Sequence, residues 1–332
     1  MKSVNLNCEI ITPLFMGGAS QQPELRAQSF NGLFRYWFRL LGGSFEDEKK
    51  LFGWGGEGAI KGLVQISVIK GQNINTSNFQ RNGQGYNYLG FSLALTRRQC
   101  INSSQSFKLT FRFHPKTTDE DIKKFLCSVW CAFYLGNFGS RSRRGFGSIV
   151  VENINGYIPI GFNLKFKPEN DQSIENWLKE QLDFIKTLNY WKPRDDIPYI
   201  FENLEMWRIS NSYADYIQLL DRIGTEYRSF RSGKNIEDRI WLGLPIGKII
   251  PQIGNEKGRR ASPLIFKIIE FNNQFEGFIL VFKPNKNHDF KFLPDNATLN
   301  LKGVNLEKPN WDIIGNFTQT LNNHNIINKI YP

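Results

Sequence analysis

Cysteine is scarce in these 332 residues, with only four, and histidine and methionine number three each. Cys8, Cys100, Cys127 and Cys131 show no CxxC spacing, and the chain is too long for a small disulfide-stapled fold, so reduced thiols are expected. Cys127 and Cys131 stand four apart in an apolar helical stretch, which predicts packing rather than metal binding. No apolar run is long enough to span a bilayer, and the opening "MKSVNLNCEI" alternates polar and apolar residues where a signal peptide would carry an apolar core. A soluble, cytoplasmic protein is the expectation. Motifs that announce chemistry are missing too: there is no GxSxG for a nucleophile elbow and no GK[ST] ending for a nucleotide-phosphate loop.

Positive charge, in contrast, is in excess. The formal net charge is +11, which favours a polyanionic partner. Residues 1–150 hold 19 Lys and Arg against 9 Asp and Glu, whereas residues 151–332 hold 23 against 22. A generally basic protein kept soluble by its charge would show no such asymmetry. If nucleic acid is the partner, the first half makes most of the phosphate contacts.

The order of elements follows from periodicity and punctuation. Val4–Ile11 alternates with period two and reads as a strand. After a loop holding Gly17-Gly18, Ser29 is a candidate N-cap for the helix "FNGLFRYWFRLL", stopped by Gly42-Gly43. Gly62–Lys70, Phe91–Thr96 and Phe107–Phe113 read as strands, with the polar insertion "GQNINTSNFQRNGQGYN" between the first two. Asp119-Glu120-Asp121 open a helix that runs to Gly136, and "SIVVENI" supplies one more strand. Glu46-Asp47-Glu48 reads as a solvated turn. In the second half, helices are expected near Ser173–Leu188, Ala214–Phe230 and Trp311–Leu321, with strands at Pro263–Phe271 and Phe278–Lys283. The first half thus has a βαββαβ order, that of a ferredoxin-like or RNA-recognition-motif-like fold. The expected class is α+β: tandem ferredoxin-like domains with insertions, an N-terminal one over 1–160 and a decorated one over 161–332.

Between the second helix of that order and its last strand runs "GSRSRRGFGS", Gly139–Ser148. Its glycines let backbone N–H groups point into a concave loop, and Arg141, Arg143 and Arg144 supply forked guanidinium groups that match phosphate oxygens. Phe146, between Gly145 and Gly147, is placed either to stack on a base or to anchor the loop in the core.

This loop resembles the glycine-rich loop of the RAMP superfamily, RNA-binding proteins of CRISPR systems. The block "ITPLFMGGASQQPELRAQSFNGLFRYWFRLLGG" resembles the signature of one branch, subunit one of the type III-B (Cmr) RNA-guided effector. Its parts are Thr12-Pro13-Leu14, Gly17-Gly18-Ala19, Glu24-Leu25-Arg26 and Gly32–Trp37. "LFGWGG" at Leu51–Gly56 and "GRRASPLIFK" at Gly258–Lys267 also look like that branch. The resemblance implies a subunit without chemistry or cofactor of its own, at the end of a backbone filament. It would hold the 3′ part of the CRISPR RNA, face the 5′ part of the captured target RNA in antiviral defence, and touch other RAMP subunits.

Carried onto this chain, Gly17, Gly18 and Ala19 let backbone approach RNA, and Arg26, Arg35 and Arg39 add cations. For Arg26 and Arg39 a structural ion pair competes. Arg141, Arg143 and Arg144 bind phosphate from a loop shaped by Gly139, Gly145 and Gly147, and Arg259 and Arg260 extend the track. Phe34, Tyr36 and Trp37, at helical spacing, read as core. An alternative is a RAMP endoribonuclease that matures CRISPR RNA. His114, at a strand end before Pro115, would be its acid–base candidate, since neither His288 nor His324 sits in a recognisable motif. A third reading is an assembly protein whose basic face meets an acidic subunit.

Overall fold

The computed structural model describes residues 1–332 except 21, 72–73, 170, 195–196, 244–245, 247–250, 254–255, 258–260, 284–296 and 300–311. The first half runs β1 (Ser3–Ile10), α1 (Ala27–Leu40), α2 (Phe45–Phe52), β2 (Val64–Lys70), β3 (Thr76–Asn78), α3 (Gln84–Leu89), α4 (Phe91–Leu95), β4 (Gln99–Ile101), β5 (Gln105–Phe113), α5 (Asp119–Tyr134) and β6 (Ile149–Gly156). Four of these strands form an antiparallel sheet in the order β2-β5-β1-β6. Alternation in β1 puts Val4, Leu6, Cys8 and Ile10 on the buried side. The two long helices, α1 and α5, pack against each other over that side. Phe34 on α1 is the meeting point, in ring contact with Phe111 of β5 and with Phe125 and Phe133 of α5. Thr118 caps α5 reciprocally with Asp121, so the acidic run is the helix start the sequence implies.

The second half runs α6 (Ile174–Thr187), α7 (Ile200–Asn203), β7 (Leu204–Ile209), α8 (Tyr216–Ser232), α9 (Ile236–Ile240), β8 (Pro251–Ile253), β9 (Glu256–Lys257), β10 (Leu264–Phe271), β11 (Gln274–Phe282), β12 (Ala297–Leu299), α10 (Asp312–Asn323) and β13 (Ile327–Tyr331). Its main sheet is again antiparallel, ordered β10-β11-β7-β13. Numbered by appearance, the strands of both sheets therefore lie second, third, first, fourth. The protein is a mixed α+β protein built on antiparallel sheets, and no helix among the described residues is long and apolar enough to cross a membrane.

Several local expectations are corrected. The N-cap of α1 is Arg26, and Ser29 lies inside the first turn. Phe91–Thr96 is not a strand: its alternation also fits a short helix, and α4 buries Leu93 while turning Phe91 and Leu95 outward. The acidic group Glu46-Asp47-Glu48 is the first turn of α2, capped by Ser44, with Glu48 fully buried. Strands β7 and β13 complete the second sheet and are not evident from the sequence.

The halves meet through the polar insertion and the glycine-rich loop. α3 lies so close to α8 that a Cβ on Gly85 would stand 2.0 Å from the Asp221 carbonyl, and one on Gly224 would stand 2.1 Å from the Gly85 carbonyl. The Tyr86 amide donates to the Asp221 carboxylate at 3.0 Å.

Candidate nucleic-acid interface

The glycine-rich loop is a closed structure. Phe138 N–H donates to the Gly147 carbonyl (2.8 Å), and Gly147 N–H donates to the carbonyl of Pro13 (3.0 Å). Buried Thr12 donates to the Gly145 carbonyl at 2.8 Å and accepts from Ser148 N–H at 2.9 Å. Gly139, Gly145 and Gly147 all take positive φ, the region where a side chain is strained. At these three positions a side chain would strain the closed loop.

Phe146 takes the anchoring role: it is 0% exposed, with Phe15, Phe79 and Tyr86 packed edge-on around it. Base stacking by Phe146 is corrected accordingly, because a fully enclosed ring offers no face.

The three loop arginines point to different ends. Arg141, at φ +61°, donates from Nε and Nη2 to the Ser92 hydroxyl on α4 at 3.1 and 2.7 Å. Arg143 donates to the Ser262 carbonyl (2.5 Å) and the Tyr36 hydroxyl (2.9 Å). Arg144 donates to the Tyr227 hydroxyl at 3.1 Å and lies over the rings of Tyr227 and Phe266, 4.7 and 5.6 Å from their centroids. Enclosure pulls Arg144 below the ordinary arginine range. Arg143 and Arg144 therefore pin the loop to the second half, while Arg141 turns it toward α4.

The N-terminal glycine loop adjoins it, because Ser140 N–H donates to the Phe15 carbonyl at 2.8 Å. Gly17 and Gly18 are partly exposed and Ala19 is open to solvent. Arg26 reaches the Gly17 carbonyl at 3.5 Å and Glu24 at 3.9 Å, so its competing ion-pair reading is present in the structure. Arg35 and Arg39 take that reading more strongly. Both bind the enclosed Glu48 carboxylate, Arg35 at 2.5 Å and Arg39 at 2.6 and 2.8 Å, and Arg194 joins at 3.4 Å. Burial alone would raise the Glu48 pKa, but the bonds from Arg39 and Arg35 hold it below the usual carboxylate range. Arg259 and Arg260 lie outside the described residues.

Two cations that sequence reasoning did not single out stand beside this region. Arg97 and Arg98 line an open cleft of about 230 Å³ with Gln22, Thr96 and Gln99. The cleft thereby lies between the N-terminal glycine loop and the turn after α4.

His114 stands away from the arginine loop. His114 follows Phe113, whose amide bonds the Lys2 carbonyl, whereas the arginine loop enters the sheet at Ile149, paired with Ile10. The eight residue steps from Lys2 to Ile10 separate the two by about 26 Å of strand. His114 Nδ1 accepts the Lys116 amide in its own turn, and His288 lies outside the described residues. Cys127 and Cys131 are packed in the core as expected, with burial pushing both thiols well up.

Lys267 on β10 is 0% exposed and its Nζ donates to Ser148 Oγ at 2.7 Å, at the end of the arginine loop. Ser148 Oγ in turn donates to the Ile268 carbonyl. Among the described residues no carboxylate pairs with this lysine, and burial pulls it well below the ordinary lysine range. A lysine lowered in the folded state makes stability rise with pH, up to the unfolded pKa near 10.4. Lys267→Met should therefore stabilise the protein at neutral pH by about 1–3 kcal/mol, the penalty of a poorly satisfied buried polar group. Denaturant melts at neutral pH and above pH 10.5 should show the gain shrinking at the higher value.

Residues 7–150, from β1 to the strand just past the arginine loop, match the family model described as "RAMP superfamily". Over 94% of this chain and 92% of the relative, the sequence is 25% identical to CRISPR system Cmr subunit Cmr1-1 of Pyrococcus furiosus. The apo crystal structure of Cmr1 from Pyrococcus furiosus superposes with a TM-score of 0.66 at 22% identity, covering 100% of this chain and 99% of that one. A chain of a type III-B Cmr-beta complex bound to cognate target RNA, solved by cryo-EM, has the same fold. Its TM-score is 0.61 at 14% identity, with 98% of this chain and 100% of that chain covered. Residues 7–150 thus match the RAMP superfamily, and the likeness of the chain to a Cmr subunit runs nearly end to end.

Proposed function

We propose that the chain is a non-catalytic, RNA-binding subunit of a type III-B CRISPR effector in the cytoplasm. In this reading it holds the 3′ part of the CRISPR RNA and faces the 5′ part of the captured target, beside other RAMP subunits. Its two sheets form tandem ferredoxin-like domains, 1–160 and 161–332, of which the first carries the RNA. The observation that carries the reading is the joining of two glycine-rich loops by the Ser140–Phe15 hydrogen bond, on the half that holds nearly all the excess positive charge. Gly17, Gly18 and Ala19 offer backbone close to the nucleic acid, with Arg26 and Arg141 as the nearest cations. Arg35, Arg39, Arg143 and Arg144 shape that surface through Glu48 and the second half, and Arg259 and Arg260 extend the track.

The test is binding of single-stranded RNA by the full chain across a salt series. Each neutralised phosphate contributes about −0.7 to the slope of log K against log salt. Wild type should show a slope steeper than about −2, and Arg141→Ala should lose roughly 0.7 of it together with a few-fold in affinity. A chain that leaves RNA unbound overturns the proposal. Metal-independent cleavage of repeat RNA would instead support the nuclease.

A further inference from the structure

The insertion between β2 and β5 carries a feature that the two glycine loops do not explain. From residue 58 to residue 118 there is no Asp or Glu, while Lys61, Lys70, Arg81, Arg97, Arg98, Lys108, Arg112 and Lys116 all fall inside the run. In its middle, α4 exposes Phe91 by 61% and Leu95 by 62%, four residues apart and hence on one helix face. Leu93 points the other way into the core, so the exposed pair is not needed to hold the helix down. Arg97 follows at φ +46°, a strained backbone angle for a side-chain-bearing residue, and is held outward over the cleft it shares with Arg98 and Gln22. Neither Arg97 nor Arg98 forms an ion pair among the described residues. The helix is also wired to the candidate site, since Arg141 of the arginine loop bonds the Ser92 hydroxyl between the two exposed apolar residues.

We propose that α4 and its following turn are a base-stacking platform for single-stranded RNA, with Phe91 and Leu95 taking base faces and Arg97 and Arg98 taking the adjoining phosphates. The inference rests on the RNA-binding reading above and names the part of the track that reading leaves open. An exposed aromatic ring beside two guanidinium groups that form no ion pair among the described residues fits a ligand that carries flat apolar faces and anionic groups along one strand. The cleft lining of Gln22, Thr96, Arg97, Arg98 and Gln99 is polar and acid-free throughout, as a phosphate path requires. Phe91 takes the role that the enclosed Phe146 cannot.

The experiment uses the full chain and a fluorescent oligouridine, with Phe91→Ala, Phe91→Trp and Arg97→Ala/Arg98→Ala variants whose thermal melts match wild type. Phe91→Ala should weaken binding about tenfold with the salt slope unchanged, because stacking neutralises no phosphate. Phe91→Trp should restore it. The double arginine variant should lose about 1.4 of the slope, the share of two phosphates. If wild type binds RNA and Arg141→Ala weakens it while all the Phe91 and Arg97/Arg98 variants bind like wild type, the platform is overturned and the broader function stands. Normal RNA binding by Phe91→Ala combined with failure to join its neighbouring subunits assigns α4 to a protein partner instead. Absence of RNA binding by wild type overturns both.

Discussion

Replacing Glu48 with glutamine is expected to destabilise the protein by about 3 kcal/mol, the lower end of the range for breaking a buried ion pair from one side. Three arginines from two separate stretches of chain converge on this one carboxylate: Arg35 and Arg39 on α1 and Arg194 beyond α6. Glutamine keeps the shape but withdraws the negative charge, which leaves three guanidinium groups repelling one another. The partial exposure of the arginines, 22% for Arg35 and 38% for Arg39, lets water recover some of the loss and sets the estimate low in its range. The acid limb gives a second readout. A carboxyl held low in the folded state contributes stability that is full above its unfolded pKa, near 4.3, and disappears as pH falls through the folded value. Thermal melts between pH 3 and 7 should show that part of the acid sensitivity missing from Glu48→Gln. An unchanged acid limb in the variant would mean that Glu48 titrates normally and the cluster holds nothing together.

Gly147→Ala is the second large effect. A Cβ at that position would stand 1.9 Å from the Phe138 carbonyl oxygen, and the backbone φ of +74° is itself unfavourable for alanine. The obstacle is backbone within the same closed loop, so no side chain can swing aside. Relief requires breaking the Phe138–Gly147 hydrogen bond and shifting Phe138, which packs on Phe30 and Phe133. The expected loss is about 4 kcal/mol or more, in the range reserved for severe steric defects. RNA affinity should fall with it, since Arg141 is displaced from α4. Gly32→Ala is the matched control: it lies within α1, nothing stands within 4 Å of its Cβ, and helix propensity favours alanine there by roughly 0.5–1 kcal/mol. Chemical melts of the two variants side by side separate a clash from a general intolerance of change.

What the sequence reveals and conceals divides along physical lines. The first sheet is legible because β1, β2 and β5 alternate, β6 opens on the apolar run Ile149–Val151, and α1 and α5 carry helical periodicity. α5 adds a readable cap, Thr118 with Asp121. The second sheet is only half legible. β7 begins directly after the single turn of α7, and β13 is a five-residue strand, so each shows too short a period to stand out. "FSLALT" misleads because five alternating residues satisfy a strand and a short helix alike, and only packing of Leu93 decides between them. At the candidate site, the glycines of the arginine loop are readable because each demands a conformation few other residues adopt. The partner of Arg35 and Arg39 is not readable, since Glu48 lies nine residues beyond Arg39 and reaches it by a change of direction between α1 and α2. The same holds for Arg144, whose partners Tyr227 and Phe266 come from the other half of the chain.

The contact between Gly85 and Gly224 bears on how such a chain can be inherited. Two sheets of the same strand order invite a history of duplication, in which each copy is a movable part. Here the polar insertion of the first half packs against α8 of the second so closely that their main chains nearly touch, with no room at either glycine for even a methyl group. A substitution at either position is felt in both halves, and a half borrowed from a relative arrives with the wrong relief on its docking face. The two halves are in that sense one unit of descent, whose pieces must change together or not at all.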